Sequence, residues 1–257
     1  MIDTPSKIHF HAGKSSNSQG SLAELEKIYG QTTPEECDVI VALGGDGTLL
    51  RALHRYHGLE KPFYGMNLGS VGFLLNPYKP ENLLERLAQT QEVRLHPLRM
   101  TATTINDKQI ENIAFNEVAL LRQRHFAAKV SIDIDNVTRM EELICDGVLV
   151  STAAGSTAYN FSAHGPILPL SSDLLALTPI SAFRPRRWRG ALLPHHVDVT
   201  FNIHDSDDRL VSATADFHEV RDVKTVEIHE SRSIYVSLLS DPDNKFEERV
   251  LKEQFLP

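Results

Sequence analysis

Cysteine is nearly absent from this chain of 257 residues, which carries thiols only at Cys37 and Cys145. Two cysteines build no disulfide framework and match no zinc-ligand spacing, so a reducing, cytoplasmic setting is expected. Aromatic residues are few, 7% with a single tryptophan, and no internal repeat or low-complexity segment occurs. Long hydrophobic runs are missing too. No segment nears the ~18–20 apolar residues that span a bilayer, and Met1-Ile2-Asp3-Thr4-Pro5 opens no basic-then-apolar leader. Neither a membrane partner nor a secretory leader is therefore expected. Positive charge is scarce, 26 Lys and Arg against 34 Asp and Glu for a net −8, which argues against a nucleic-acid partner. The one basic cluster, Arg184-Pro185-Arg186-Arg187-Trp188-Arg189, is short and reads as a surface or subunit-interface loop. Histidines number 12, but His195-His196 and His54/His57 lack companions at ligand spacing, so no metal site of protein residues is expected.

What is present is an ordinary globular composition, 41% hydrophobic and 23% charged, long enough for one large domain or two modest ones. The first third alternates strand and helix signals. Lys7–His11 reads as a strand, and Ser21–Tyr29 as an amphipathic helix opened by a Ser21/Glu24 capping box. Asp38–Leu43 reads as a strand, a helix follows to near Gly58, and Pro62–Asn67 is the next strand, closed by Leu68–Phe73. Pro80–Ala88 reads as a helix with Pro80 in its first turn. This alternation predicts a parallel sheet with crossover helices. Past His96-Pro97 the texture changes to strands: Met100–Ile105, Asn112–Arg122, Ala127–Ile134, Arg139–Val150, Val197–Ile203, Arg209–Ala215, Thr225–His229 and Ser233–Leu238. The expected fold class is thus α/β plus all-β. An α/β domain spans 1–96, with the tail 240–257 returning to it, and a β-rich, sandwich-like domain spans 97–239.

Gly44-Gly45-Asp46-Gly47-Thr48 follows the apolar run Val39–Leu43 and opens the helical pattern Thr48–His54. Glycines there let the backbone reach positive φ and approach a ligand, and N–H groups at a helix start attract phosphate. A carboxylate in such an anion site has a use if it takes a proton from an alcohol or helps hold a metal. A tight turn with a solvent-facing Asp46 is the plainer alternative. A second segment, Asp146-Gly147-Val148-Leu149-Val150-Ser151-Thr152-Ala153-Ala154-Gly155-Ser156-Thr157-Ala158-Tyr159-Asn160, runs from an apolar strand into tiny and hydroxyl residues closed by an aromatic. Small residues let a flat ring lie against backbone, hydroxyls give neutral hydrogen bonds, and Tyr159 can stack. The spacing around Ser156 is not the G-x-S-x-G of a hydrolase nucleophile, and a crowded strand–helix joint is the alternative. Asn116-Glu117 interrupts an apolar frame, Ile113-Ala114-Phe115 and Val118-Ala119-Leu120. Buried polar residues need partners, which a ribose diol supplies, unless strand alternation turns one of them to solvent.

These features together resemble the NAD kinases, from Lys7 to about Tyr235, in their compact bacterial type. GGDGT alone is shared with diacylglycerol and sphingosine kinases and, more loosely, phosphofructokinases. Gly155-Ser156-Thr157-Ala158-Tyr159-Asn160 with Gly165-Pro166 is the discriminating part. The resemblance implies transfer of the ATP γ-phosphoryl group to the 2′-hydroxyl of NAD's adenosine ribose, giving NADP, with Mg²⁺ arriving on ATP. It implies that Asp46 deprotonates that hydroxyl while the Gly44, Gly45 and Gly47 backbone lies near the phosphates. Phe73 matches a residue lining the adenine pocket, and Asn116 and Glu117 match the pair that binds sugar hydroxyls. Thr157, Ala158 and Tyr159 match the adenine wall, with Ala154 and Ser162 beside them. Asp146 matches an aspartate reaching the nicotinamide half of a ligand held by a neighbouring subunit, which implies a homodimer or a homotetramer. Where the family usually has Asp-Gly in a late turn, this chain has Asp216-Phe217-His218. Either the turn avoids positive φ or the register differs; Asp216 and His218 stand as nucleotide-binding candidates, His218 flanking the adenosine pocket. A GGDGT-sharing lipid kinase and a noncatalytic NAD(P)-binding regulator are the other readings. The first lacks an amphipathic membrane-binding stretch, and the intact Asp46 speaks against the second.

Overall fold

In a computed structural model the chain is described at residues 6–69, 72–243, 246, 248 and 249. The segment Met1–Pro5, Ser70 and Val71 of the Leu68–Phe73 closure, and most of the tail past Asp243 lie outside the described residues. The chain divides into two units, one formed by Met1–Leu95 with Tyr235–Pro257, the other by His96–Ile234.

The first unit begins β1 (Ile8–Ala12), α1 (Ser16–Tyr29), β2 (Val39–Gly44), α2 (Asp46–Tyr56), β3 (Phe63–Asn67), β4 (Asn76–Pro77), α3 (Leu83–Ala88) and β5 (Gln91–Leu95). β1, β2 and β3 run parallel, and every residue of β2 is buried, as a central parallel strand covered on both faces requires. α2 turns Leu49, Ala52, Leu53 and Tyr56 inward, a helical stripe that fixes which way its first turn faces. α1 starts earlier than its sequence suggests. Its N-cap is Ser15, whose hydroxyl accepts from the Ser18 N–H at 3.2 Å, while Ser21 is buried mid-helix, so the Ser21/Glu24 capping box is not used. α3 starts after Pro80, because the Tyr29 hydroxyl donates to the Pro80 carbonyl and accepts from the Leu83 N–H, closing the helix start with a residue of α1.

Apart from its loops, the second unit is all strand but for a 3-10 turn at Ala154–Thr157 and one short helix. Its strands are β6 (Leu98–Thr104), β7 (Gln109–Ala114), β8 (Glu117–Arg122), β9 (Ala128–Ile134), β10 (Val137–Cys145) and β11 (Gly147–Ser151). Then come α4 (Tyr159–Ser162), β12 (Leu174–Ile180), β13 (Ala191–Pro194), β14 (Val199–Ile203), β15 (Val211–Ala215), β16 (His218–Val220) and β17 (Val223–Glu230). Two antiparallel sheets, ordered β10-β9-β14-β17-β6-β7 and β13-β12-β11-β8-β15-β16, contribute to one apolar cluster and so form a sandwich. The single strands expected over 112–122 and 139–150 are each two strands. At Phe115-Asn116 the chain passes from β7 in one sheet to β8 in the other, and at Asp146 it passes from β10 to β11 in the same way.

The chain then returns to the first unit as β18 (Val236–Ser240), which lies between β3 and β5, parallel to one and antiparallel to the other. A buried polar network holds this return. Asp241 pairs with Arg86 at 2.6 Å and accepts from the Tyr64 hydroxyl at 2.7 Å, and its N–H reaches the Asn76 side chain at 2.9 Å.

Candidate active site

In the first unit, β2 ends at Gly44 and Gly45 is the N-cap of α2, which makes Asp46 the first helical residue. Gly44 is obligatory on steric grounds, since a Cβ would overlap the Thr48 side chain. Gly45 and Gly47 depart from the sequence reading: neither has positive φ, and a Cβ on Gly45 would meet nothing within 4 Å. Their missing side chains leave open space over the backbone instead of a special conformation. Asp46 is not solvent-facing. Its Oδ2 accepts from the Phe73 N–H at 2.9 Å and its Oδ1 from the Leu74 N–H at 3.2 Å. Burial raises its pKa, and the two N–H donors and the Arg249 charge pull the other way without reversing the rise. A half-buried carboxylate with its charge held and its pKa moved toward neutrality is suited to accept a proton.

In the second unit the candidates converge on the two places where the chain changes sheet. The Asp216 carboxylate accepts from the N–H groups of Phe115 at 2.8 Å, Asn116 at 3.0 Å and Glu117 at 3.2 Å. Asp216 itself has φ +53° and is the first of two residues linking Ala215 to His218, so the turn does use positive φ, one residue earlier than an Asp-Gly turn would. The Asn116 carbonyl accepts from the Thr152 N–H at 2.9 Å. Gly155 lies so close to the Asn116 backbone that no Cβ fits, which forces glycine there.

Glu117 is held by the Tyr159 N–H, and its pKa is pushed up to about 8, first by burial and then by the Asp216 charge. Its Oε2 is buried without a hydrogen-bond partner among the described residues. A buried oxygen left without a partner is unusual in a folded protein and can take one more hydrogen bond. The Tyr159 phenol is raised first by burial and then by the charges of Glu117 and Asp146. Thr157, Ala158 and Tyr159 are partly exposed, Ala154 is buried, and Ser162 is exposed. His218 is exposed beside Phe217, ring centroids 4.6 Å apart.

Several residues of this segment are structural. Ser156 is fully buried, donating to the Ala153 carbonyl and accepting from the Leu168 N–H, so it is no nucleophile. Asn160 is fully buried as well and bonds Ser156, Pro166 and Thr178. Asp146 pairs with Arg122 at 2.5 Å, both partly exposed. Arg122 was not singled out in the sequence; its place at the end of an apolar strand was the available signal. Among the described residues no three His, Cys, Asp or Glu gather at a metal position.

The family model described as ATP-NAD kinase N-terminal domain matches residues 3–94, and the ATP-NAD kinase C-terminal domain matches 115–233. A relative called NAD kinase from Xylella fastidiosa (strain 9a5c) is 52% identical over 255 residues, covering 99% of this chain and 98% of the relative. One from Rhizobium meliloti (strain 1021), also called NAD kinase, is 52% identical over 248 residues, covering 96% of each. Among solved structures, a yeast NADH kinase complexed with NADH superposes with TM-score 0.84 at 19% identity, over 98% of this chain and 88% of that one. An Archaeoglobus fulgidus NAD kinase in complex with ATP gives TM-score 0.74 at 24% identity, over 96% and 97%. At these identities the two structures show a shared fold.

Proposed function

This chain belongs to the ATP-NAD kinase family, and from that premise we propose how its residues divide the phosphorylation of NAD. The reaction moves the ATP γ-phosphoryl group to the 2′-hydroxyl of the adenosine ribose. Phosphoryl transfer asks the protein mostly for positioning and charge neutralisation. Asp46 takes the proton of that hydroxyl, while Gly45 and Gly47 leave room for phosphate over the start of α2. The observation that carries this assignment is the grip of the Phe73 and Leu74 N–H groups on both Asp46 oxygens.

Asn116 and Glu117 bind sugar hydroxyls, Glu117 through its orphaned Oε2. Neutral at pH 7, it donates as well as accepts. Ala154, Thr157, Ala158, Tyr159 and Ser162 line the adenine site, and His218 flanks it. Asp216 acts one step back, holding the peptide of Asn116 and Glu117 in place. Mg²⁺ fits as an ion carried on ATP, since it keeps waters and phosphate oxygens and needs one or two carboxylates at most. When bound it neutralises charge on the phosphates. Asp146 reaches a ligand of a neighbouring subunit in a dimer or tetramer, which native mass measurement tests. Two buried free thiols, Cys37 and Cys145, accord with a cytoplasmic location.

The deciding experiment is NADP formation from NAD and Mg-ATP by the wild type and Asp46→Asn, beside a blank without ATP. A well-placed base contributes about 10²–10⁴-fold, so Asp46→Asn is expected to bind NAD and lose that much turnover. Near-normal turnover in that variant would sink the assignment.

A further inference from the structure

The residue that completes the surroundings of Asp46 comes from the far end of the chain. Arg249 stands in the C-terminal tail, just beyond the buried Phe246. Its guanidinium donates to the Gly72 carbonyl at 2.6 Å and to the Leu75 carbonyl. Those two carbonyls bracket Phe73 and Leu74, whose N–H groups hold the Asp46 oxygens. One planar cation thus fixes the peptide on either side of both donors, which a flexible point charge does less well.

We propose that Arg249 is a positioning residue for the catalytic base: it locks the 72–75 peptide so that its two N–H groups stay on Asp46. This rests on the reading of Asp46 as the base. The charges in the neighbourhood agree. Among the charged groups acting on Asp46, Arg249 is the cation that lowers its pKa against the effect of burial. Asp46 and Asp241 are the anions acting on Arg249 in return. Arg51, on α2, directs its guanidinium to the Gly47 carbonyl at 3.3 Å, not to the Asp46 side chain.

The test is the pH dependence of NADP formation by wild type, Arg249→Met, Arg249→Gln, Arg249→Lys and Asp46→Asn, with thermal unfolding of each. An arginine beside a carboxylate lowers its pKa by about 1–3, so Arg249→Met is expected to move the acid limb of kcat/KM up by about one pH unit. Its kcat at neutral pH is expected to fall about tenfold, within the range that a base supplies, with KM for NAD little changed. Arg249→Lys restores the limb toward wild type.

Should Arg249→Met not fold, Arg249→Gln keeps a donor for the carbonyls without the charge and carries the same limb test. Wild-type kcat and an unmoved limb in Arg249→Met or Arg249→Gln overturn the proposal. So does a lowered kcat with the limb unmoved, which makes Arg249 an anchor of the tail only. If Asp46→Asn keeps its turnover, the base assignment falls and this proposal with it. If Asp46→Asn is dead and the Arg249 variants are normal, this proposal falls alone.

Discussion

Glu117 keeps one oxygen buried and without a partner among the described residues, while Asp46 has both oxygens filled by backbone N–H groups. Burial raises both, yet the partners of Asp46 offset part of the effect and the neighbour of Glu117, the Asp216 charge, adds to it. Glu117 therefore stays protonated to about pH 8 in the folded chain, against 4.5 for the freely exposed side chain. Between those two values the folded protein holds a proton that the unfolded chain has released. This contribution to stability is complete below pH 4.5 and declines as the pH rises to about 8. Glu117→Gln is always neutral and escapes the decline. Urea unfolding at a series of pH values should show the variant gaining on the wild type from pH 5 to 8, by about 1.4 kcal/mol for each pKa unit of the rise. A difference independent of pH would mean that Glu117 ionises normally.

The hairpin of β15 and β16 shows how an element serves the site without touching substrate. Asp216 gives it both a left-handed backbone and a carboxylate for three N–H groups. Asp216→Gly separates these roles, keeping the turn and deleting the carboxylate. It is expected to cost about 1.5–3 kcal/mol for the charged hydrogen bonds and to raise KM for NAD, read by urea unfolding and steady-state rates. Phe217→Gly, which restores the Asp-Gly sequence usual in the family, should gain nothing, because Phe217 is not among the positive-φ residues; glycine there costs up to about 1 kcal/mol.

Elements also differ in how far their own residues announce them. The glycine loop and the α/β alternation were legible because β2 is apolar throughout and α2 carries a clean helical stripe. The breaks at Asn116 and Asp146 were not, because what interrupts those strands is a partner far along the chain: Thr152 and Asp216 for the first, a second sheet for the second. β12 and β13 were also overlooked, their apolar residues interrupted by Pro179 and closed by Pro194. Asp46 stood out in the sequence as a candidate base, whereas the peptide that grips it and the tail that grips the peptide are contacts no local pattern carries.

At the scale of the molecule, each unit has its own apolar cluster, residues 98–228 for one and 8–239 for the other, with no residue in common. The second unit is continuous in sequence, while the first needs β18 to join β5 to the rest of its sheet. A chain ending at Ile234 leaves β5 with no strand partner and removes Asp241 from Arg86 and Tyr64. Such a chain is expected to lose NADP formation and the cooperative unfolding of 1–95 while keeping protected amides in 96–234, as hydrogen exchange would show.

The same threading sets the order in which the protein matures during translation, where domains ordinarily fold as they are made, the first one first. Here the middle of the chain holds every strand it needs once Ile234 has left the ribosome, and the first domain waits for codons beyond it. The glycine loop is synthesised early and is expected to become a folded site last, once β18 has paired with β5, so an unfinished copy is expected not to consume ATP.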